Sequence, residues 1–228
     1  MTDQRPGLHA THRKVLDAAC LLFAEKGYQG TTVALICRKA GANIAAVNYH
    51  FGGKQRLYRA AWRHAHEQFV ARVPPDGGVG PDRPAAERLR GRIRAGLRSA
   101  LGGEAVGFRI MRHEMANPTG LLRQVIDDAI APLRRATQAL IRELLGPHAT
   151  QRDIELCEVC TVAPWMHVMH HRQAQKYAGL APIFPEAMLD TVANHFADFA
   201  LAGIAAVRRR IERAARRRPP RPSRRARR

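Results

Sequence analysis

Apolar residues recur at the three-and-four spacing of a helix face in one segment of this chain after another. Val15, Ala18, Ala19, Leu22 and Phe23 form one stripe, predicting a helix from Thr11, which can cap it, to Glu25. Val33, Ile36, Cys37 and Ala40 predict a short helix capped by Thr32 and stopped by Gly41. Asn43 is placed to cap a second short helix from Ile44 to about His50, packed through Ile44, Val47 and Phe51. Leu57, Tyr58, Ala61, Trp62, Ala65, Phe69 and Val73 carry the period along a helix that opens at Lys54 or Gln55 and ends at Pro74-Pro75. The breakers in DGGVGPDRP then predict a loop.

Beyond that loop the pattern stays helical. Pro84 suits the first turn of a helix through Leu89, Ile93, Leu97 and Leu101, stopped by Gly102-Gly103. A short helix is predicted over Val106 to Ala116, and another from Thr119 through Leu145 that Pro132 should kink or divide. A long one runs from Thr150 to Tyr177, interrupted by Pro164, and the last from about Glu186 past Val207. Scarce β-branched and aromatic residues disfavour a sheet, so the fold class is all-α. No repeat of fixed period emerges.

The 228 residues carry a formal charge of +19, but twelve arginines and one glutamate between Arg208 and Arg228 supply +11 of it. Such a balance suits a polyanionic partner, because neutralised phosphates release counterions; arginine-rich coding without a binding role is the alternative. Pro219, Pro220 and Pro222 predict a disordered, extended end. The amino terminus has no apolar leader and no run of eighteen apolar residues occurs, so a cytoplasmic protein is expected. Cys20, Cys37, Cys157 and Cys160 lie in apolar helical patterns and are read as reduced core thiols.

Two short helices held by the turn Gly41-Ala42-Asn43 make a helix-turn-helix. The outward positions of its second helix are Ala45, Ala46, Asn48, Tyr49 and His50. Small residues let a helix sink into a major groove, while an amide, a phenol and an imidazole supply bonds to base edges and phosphates. Lys54 adds a point charge for a phosphate, and Arg13 and Lys14 sit on the first turn of the first helix, where the dipole disfavours cations unless a phosphate joins them. The DNA-binding set is therefore Thr32, Asn43, Ala45, Ala46, Asn48, Tyr49, His50 and Lys54.

The stretch GYQGTTVALICRKAGANIAAVNYHFGGKQRLYRAA resembles the amino-terminal domain of the tetracycline-repressor (TetR) family over roughly Val15 to Trp62. Many members of that family carry tyrosine where this chain has Asn48, which alters the pattern of phosphate contacts. Arg112-His113-Glu114 followed by Asn117-Pro118-Thr119 is similar to the signature of the branch with a DUF1956-type carboxyl domain. The resemblance implies a ligand-responsive transcription regulator, usually a repressor released from a palindromic operator by a small-molecule effector, working as a homodimer paired through its last two long helices. Its expected layout is an arm over 1–10, a DNA-binding domain over 11–53, a regulatory and pairing domain over 54–207 and an arginine-rich tail over 208–228.

Other chemistry finds little support. Cys157, Cys160, His167, His170 and His171 suggest zinc, but on a helix Cys157 and His171 stand roughly 21 Å apart, so only His167 with His171 could chelate. No metal and no cofactor is expected, and the usual catalytic motifs are missing, so the chain is read as a non-enzyme. Trp62, Phe69, Phe108, Met111, Met115, Trp165, Met166 and Met169 form either a plain core or an effector cavity, and the resemblance favours the cavity. Phe196, Phe199 and Ile204 belong to a stripe on the last helix too wide for one-sided packing, which predicts pairing with a second copy. A different class of function is a general nucleic-acid-binding protein acting through the arginine tail; deletion of the tail separates the two.

Overall fold

Thr150 and Asp153 illustrate how local chemistry sets the helix boundaries. The Thr150 N–H donates to Asp153 Oδ2 at 3.0 Å and the Asp153 N–H donates to Thr150 Oγ1 at 3.2 Å, a reciprocal cap that opens a 28-residue helix. The computed structural model of the chain describes residues 6–101, 105–181 and 184–217. These hold nine α-helices: α1 Pro6–Lys26, α2 Val33–Ala40, α3 Ile44–Phe51, α4 Lys54–Arg72, α5 Ala85–Leu101, α6 Val106–Ala116, α7 Arg123–Leu145, α8 Gln151–Ala178 and α9 Leu189–Arg216. A 3-10 turn at Glu186–Met188 leads into α9, and no strand occurs among the described residues.

Three local expectations need correction, at the start of the first helix, at the tail boundary and at Thr119, and one pair of alternatives is narrowed at Pro132. Helix α1 starts at Pro6, not Thr11, because proline fits a first turn where its missing N–H is not needed; the expected arm loses residues 6–10, and residues 1–5 lie outside the described residues. Helix α9 runs to Arg216, well past the expected tail boundary at Arg208, since arginine and alanine favour helix and Glu212 bonds Arg208 one turn away at 2.8 Å. The remainder of the tail, 218–228, lies outside the described residues. Helix α7 continues through Pro132 as one element, and Thr119 caps the turn before it, accepting from the Leu121 N–H at 3.1 Å.

Two compact units share the chain, one from Met1–Pro74 with Gly102–Leu133 and the other from Pro75–Leu101 with Arg134–Arg228. In the first, α1, α2, α3, α4 and α6 surround Val15, Phe23, Ile36, Val47, Leu57, Tyr58 and Ile110, all fully buried. In the second, α5 packs against α8 and α9 around Leu89, Ile93, Ile141, Leu145 and Ile154. Gly96 lets the Trp165 indole lie directly on the α5 backbone: a Cβ there would come within 2.9 Å of the ring.

The signature residues at the end of α6 have a structural role. Glu114 is buried and its Oε1 accepts the N–H groups of Thr119 and Gly120, each at 2.9 Å. The Thr119 hydroxyl lies 2.8 Å from both carboxylate oxygens, and the Tyr58 hydroxyl of α4 donates to Oε2 at 3.1 Å. A buried carboxylate is tolerable only with such a shell of donors. Burial and the charge of Glu114 push the Tyr58 phenol well up, so it stays protonated as a donor.

Candidate nucleic-acid interface

The turn between α1 and α2 is built from residues with little freedom to vary. Gly27 takes φ +66°, and a Cβ on Gly30 would meet the Lys26 carbonyl oxygen at 2.6 Å. Thr31 is fully buried, its hydroxyl 2.8 Å from the Gly27 carbonyl and 3.1 Å from that of Leu22. Thr32 then caps α2, accepting the Leu35 N–H at 3.2 Å.

Helix α2 ends in a Schellman turn. Gly41 adopts φ 62° and ψ 37°, its N–H meets the Arg38 carbonyl at 3.4 Å, and the Ala42 N–H meets that of Cys37 at 3.0 Å. Asn43 follows in extended conformation and accepts the Ala45 N–H on Oδ1 at 3.1 Å, which caps α3 and contributes about 1 kcal/mol. Val47 and Phe51 anchor α3 to the core.

Thr32, Asn43, Ala45, Asn48 and Tyr49 are exposed and Ala46 and His50 half-buried, with Tyr49 75% accessible. Two of the eight, Thr32 and Asn43, already use their side-chain oxygens as caps. His50 sits in an aromatic group, its ring 5.1 Å from Tyr49 and 5.6 Å from His12, which itself stacks on Phe51 at 4.6 Å. Lys54 lies over the Tyr28 ring, 4.1 Å from its centroid, and burial draws its pKa down. Tyr28 in turn stands 5.0 Å from the buried Tyr58, so the ring beneath the Lys54 ammonium is packed onto the core.

Ile44 departs from the sequence reading. It is 51% exposed at the start of α3, and the core side of that helix begins at Val47. Eight residues make barely two turns, so the two anchors Val47 and Phe51 fix the inner face, and Ile44, three residues before Val47, falls at its margin. Arg38 and Lys39 on the last turn of α2 are also exposed and add charge that the motif reading did not assign. Arg13 and Lys14 are exposed on α1.

The remaining predicted sites divide between the units. Trp62, Phe69, Phe108, Met111 and Met115 belong to the first unit, and Trp165, Met166 and Met169 to the second. Trp62 is only 2% exposed, stacks on His66 at 5.1 Å, and has its Nε1 buried without a hydrogen-bond acceptor. Phe69 meets Phe108 edge to face at 5.3 Å. Met115 is 69% exposed and lines no interior, because Gly107, Ile110 and Glu114 form the inner face of α6 and position 115 turns away from it. Trp165 and Met169 pack against Leu97, Leu101 and Val168.

On α9, Ile204 is buried among residues of its own unit and Phe196 is half-buried there, whereas Phe199 is 73% exposed. The uncovered face of α9 is thus Phe199, Ala202 and Ala206, and Leu156, Val159 and Cys160 are exposed on α8. Cys160 is therefore not a core thiol; Cys20, Cys37 and Cys157 are, and burial with the Asp17 charge pushes Cys20 up to about 12. His167 and His171 stack at 5.7 Å, while among the described residues no three His, Cys, Asp or Glu side chains converge as metal ligands.

An exposed, capped, small-residue helix set by a glycine turn against a three-helix core defines a helix-turn-helix regulator of transcription. The model of bacterial regulatory proteins of the tetR family matches residues 15–61, and that of the C-terminal domain of the HTH-type transcriptional dual regulator CecR matches residues 85–204. The chain belongs to the TetR family of regulators, with a CecR-type carboxyl-terminal domain. It is 35% identical over 57 residues to the biofilm operon icaADBC negative transcriptional regulator IcaR of Staphylococcus epidermidis, covering 25% of this chain and 31% of that protein. The match thus spans less than a third of that relative's length.

Solved structures share the fold over nearly the whole chain. A transcriptional regulator of Pseudomonas aeruginosa PAO1 superposes with a TM-score of 0.69 at 18% identity, covering 92% of this chain and 96% of that one. FadR of Bacillus subtilis, solved with stearoyl-CoA, gives 0.60 at 16% identity over 84% of this chain and 98% of its own. AibR, solved with isovaleryl coenzyme A and operator DNA, gives 0.54 at 18% identity, covering 84% and 96%. No helix among the described residues is long and apolar enough to cross a membrane.

Proposed function

We propose that this regulator is a cytoplasmic, ligand-responsive repressor that binds a palindromic operator as a homodimer and leaves it when a small molecule binds. Residues 11–53 carry the DNA reading and residues 54–207 the regulation and pairing. The observation that carries the reading is the α3 surface: Ala45 and Ala46 give a close approach to base edges, Asn48 and His50 offer polar contacts, and Tyr49 and Lys54 reach phosphates. Ile44 adds an apolar contact suited to a thymine methyl. The negative regulator IcaR, similar over the reading domain, supports repression.

For the effector, Trp62, Phe69 and Phe108 of the first unit supply aromatic surface and Met111 a flexible apolar side chain, and the unpaired Trp62 N–H supplies a donor for an acceptor atom of the ligand. Fold relatives solved with acyl-coenzyme A molecules support an effector of amphipathic character. Pairing follows from the uncovered faces of α8 and α9, where Phe199, Leu156 and Val159 are exposed. A selection on genomic fragments, repeated with acyl-coenzyme A esters of graded chain length, tests this. Enrichment of one shared sequence that an ester abolishes supports the reading; a shared sequence indifferent to every ester removes the effector part.

A further inference from the structure

We propose that the carboxyl-terminal end of α9 is a second, sequence-independent contact for the phosphate backbone of double-stranded DNA. Arg209, Arg213 and Arg216 are exposed and separated by four and three residues, so they share one face of the helix. Their backbone positions rise by about 6 and 4.5 Å, which suits successive phosphates of one strand. Among the described residues none of the three forms an ion pair, although the Arg216 charge also acts on Glu212 one turn before it.

The other side of the same turns is held down. Arg208 bonds Glu212 at 2.8 Å and reaches the Leu144 carbonyl at the end of α7 at 3.4 Å, where the helix dipole favours a cation. Arg210 pairs with Asp153 at 3.3 Å, and hydrogen bonds from Thr150, with the Arg210 charge, keep the Asp153 carboxyl below its ordinary range. Ile211 turns into the core of the second unit. The helix end is therefore anchored by one face while the opposite face presents guanidinium groups. The segment's one acid, Glu212, is already engaged, and seven further arginines without an acid follow from Arg217 to Arg228.

Duplex DNA fits this face better than the alternatives. A membrane-surface helix needs bulky apolar residues beside its cations, and here only Ala214 and Ala215 accompany them while Ile211 is used internally. A second copy would set arginine against arginine, which repels. On α9 the exposed face changes character at Arg209, from Phe199, Ala202 and Ala206 to cations, so the stripe lies beyond the apolar surface assigned to pairing. The contact is independent of α3 and carries no base information, since phosphate contacts position without specifying.

The test uses the full chain, a variant with Arg209→Gln, Arg213→Gln and Arg216→Gln, and a matching triple lysine variant, each titrated with a 20-base-pair duplex of scrambled sequence from about 50 to 200 mM salt. The glutamine variant should bind about ten-fold or more weakly at low salt, with a log–log salt slope shallower by roughly 2 to 3. The lysine variant should keep the parent slope, and preference among genomic fragments, which belongs to α3, should be the same in all three. An unchanged slope in the glutamine variant overturns the proposal. So does loss of binding to phosphatidylglycerol vesicles with duplex binding intact, which would make the partner a membrane surface.

Discussion

Tyr58 donates to the buried carboxylate of Glu114 across 3.1 Å and thereby ties α4 to the turn that follows α6. On its other side Tyr58 touches Phe23 and Tyr28, at 4.8 and 5.0 Å between rings, and Tyr28 carries Lys54 on its face. One side chain thus braces both the signature turn and a proposed phosphate contact. Hydrogen bonds to a charged group contribute about 1.5–3 kcal/mol, so Tyr58→Phe should lower unfolding free energy by about that much. Glu114→Ala, which strands the N–H groups of Thr119 and Gly120 as well, should cost more. Urea unfolding of both variants checks this; equal stability of Tyr58→Phe and the parent would show the bond to be idle.

Readout and positioning should separate on the reading domain. Lys54→Ala should weaken operator binding by about 1 kcal/mol or less and flatten the salt slope by roughly 0.9 without altering the preferred sequence. Ala46→Leu should instead abolish selectivity by holding α3 away from the base edges, with thermal stability little changed. Fluorescence anisotropy on specific and scrambled duplexes measures both, and a Lys54→Ala variant with parental slope would remove Lys54 from the interface.

Acid should destabilise the first unit through His66. Burial against Trp62 draws its pKa below the usual histidine value. The unfolded chain therefore binds the proton more readily, the stabilisation is complete above about pH 6.5, and it falls as pH drops through the lower folded value. Melting temperature from pH 8 to 5.5 should decline more steeply in the parent than in His66→Phe, which keeps a stacking ring and cannot titrate. Parallel declines would count against a buried neutral imidazole at this position.

Pairing is testable at Phe199. Exposure of 73% makes Phe199→Arg tolerable to the isolated fold, so it should convert a dimer to a folded monomer in sedimentation at micromolar concentration. Ile204→Arg should unfold the second unit, because Ile204 is 4% exposed inside its core. A Phe199→Arg chain that stays dimeric would move the interface elsewhere.

The helices were legible in the sequence because their apolar stripes are long and their stops are chemical: Thr32, Gly41 and Asn43 cap where their residue types predict. Ends decided by weak preferences were not, as Pro6 and Arg216 show, since nothing between Arg208 and Arg216 forbids helix. Single-residue facing was harder still. Ile44, Met115 and Ile204 each belong to an apolar pattern, yet which side of the stripe meets a neighbour depends on tertiary packing that periodicity cannot rank. The role of Glu114 was visible only as a motif, because its partners Tyr58, Thr119 and Gly120 come from two separate segments.

The most direct test of the central claim is a footprint of the full chain on the fragment that a genomic selection enriches. Two inverted half-sites with centres a whole number of duplex turns apart, about 10 to 10.5 base pairs per turn, are predicted, and both should disappear with Phe199→Arg while the scrambled-duplex affinity persists. Enriched fragments that share no sequence, bound with no bounded footprint, would contradict an operator-reading dimer and leave a general DNA-binding protein in its place.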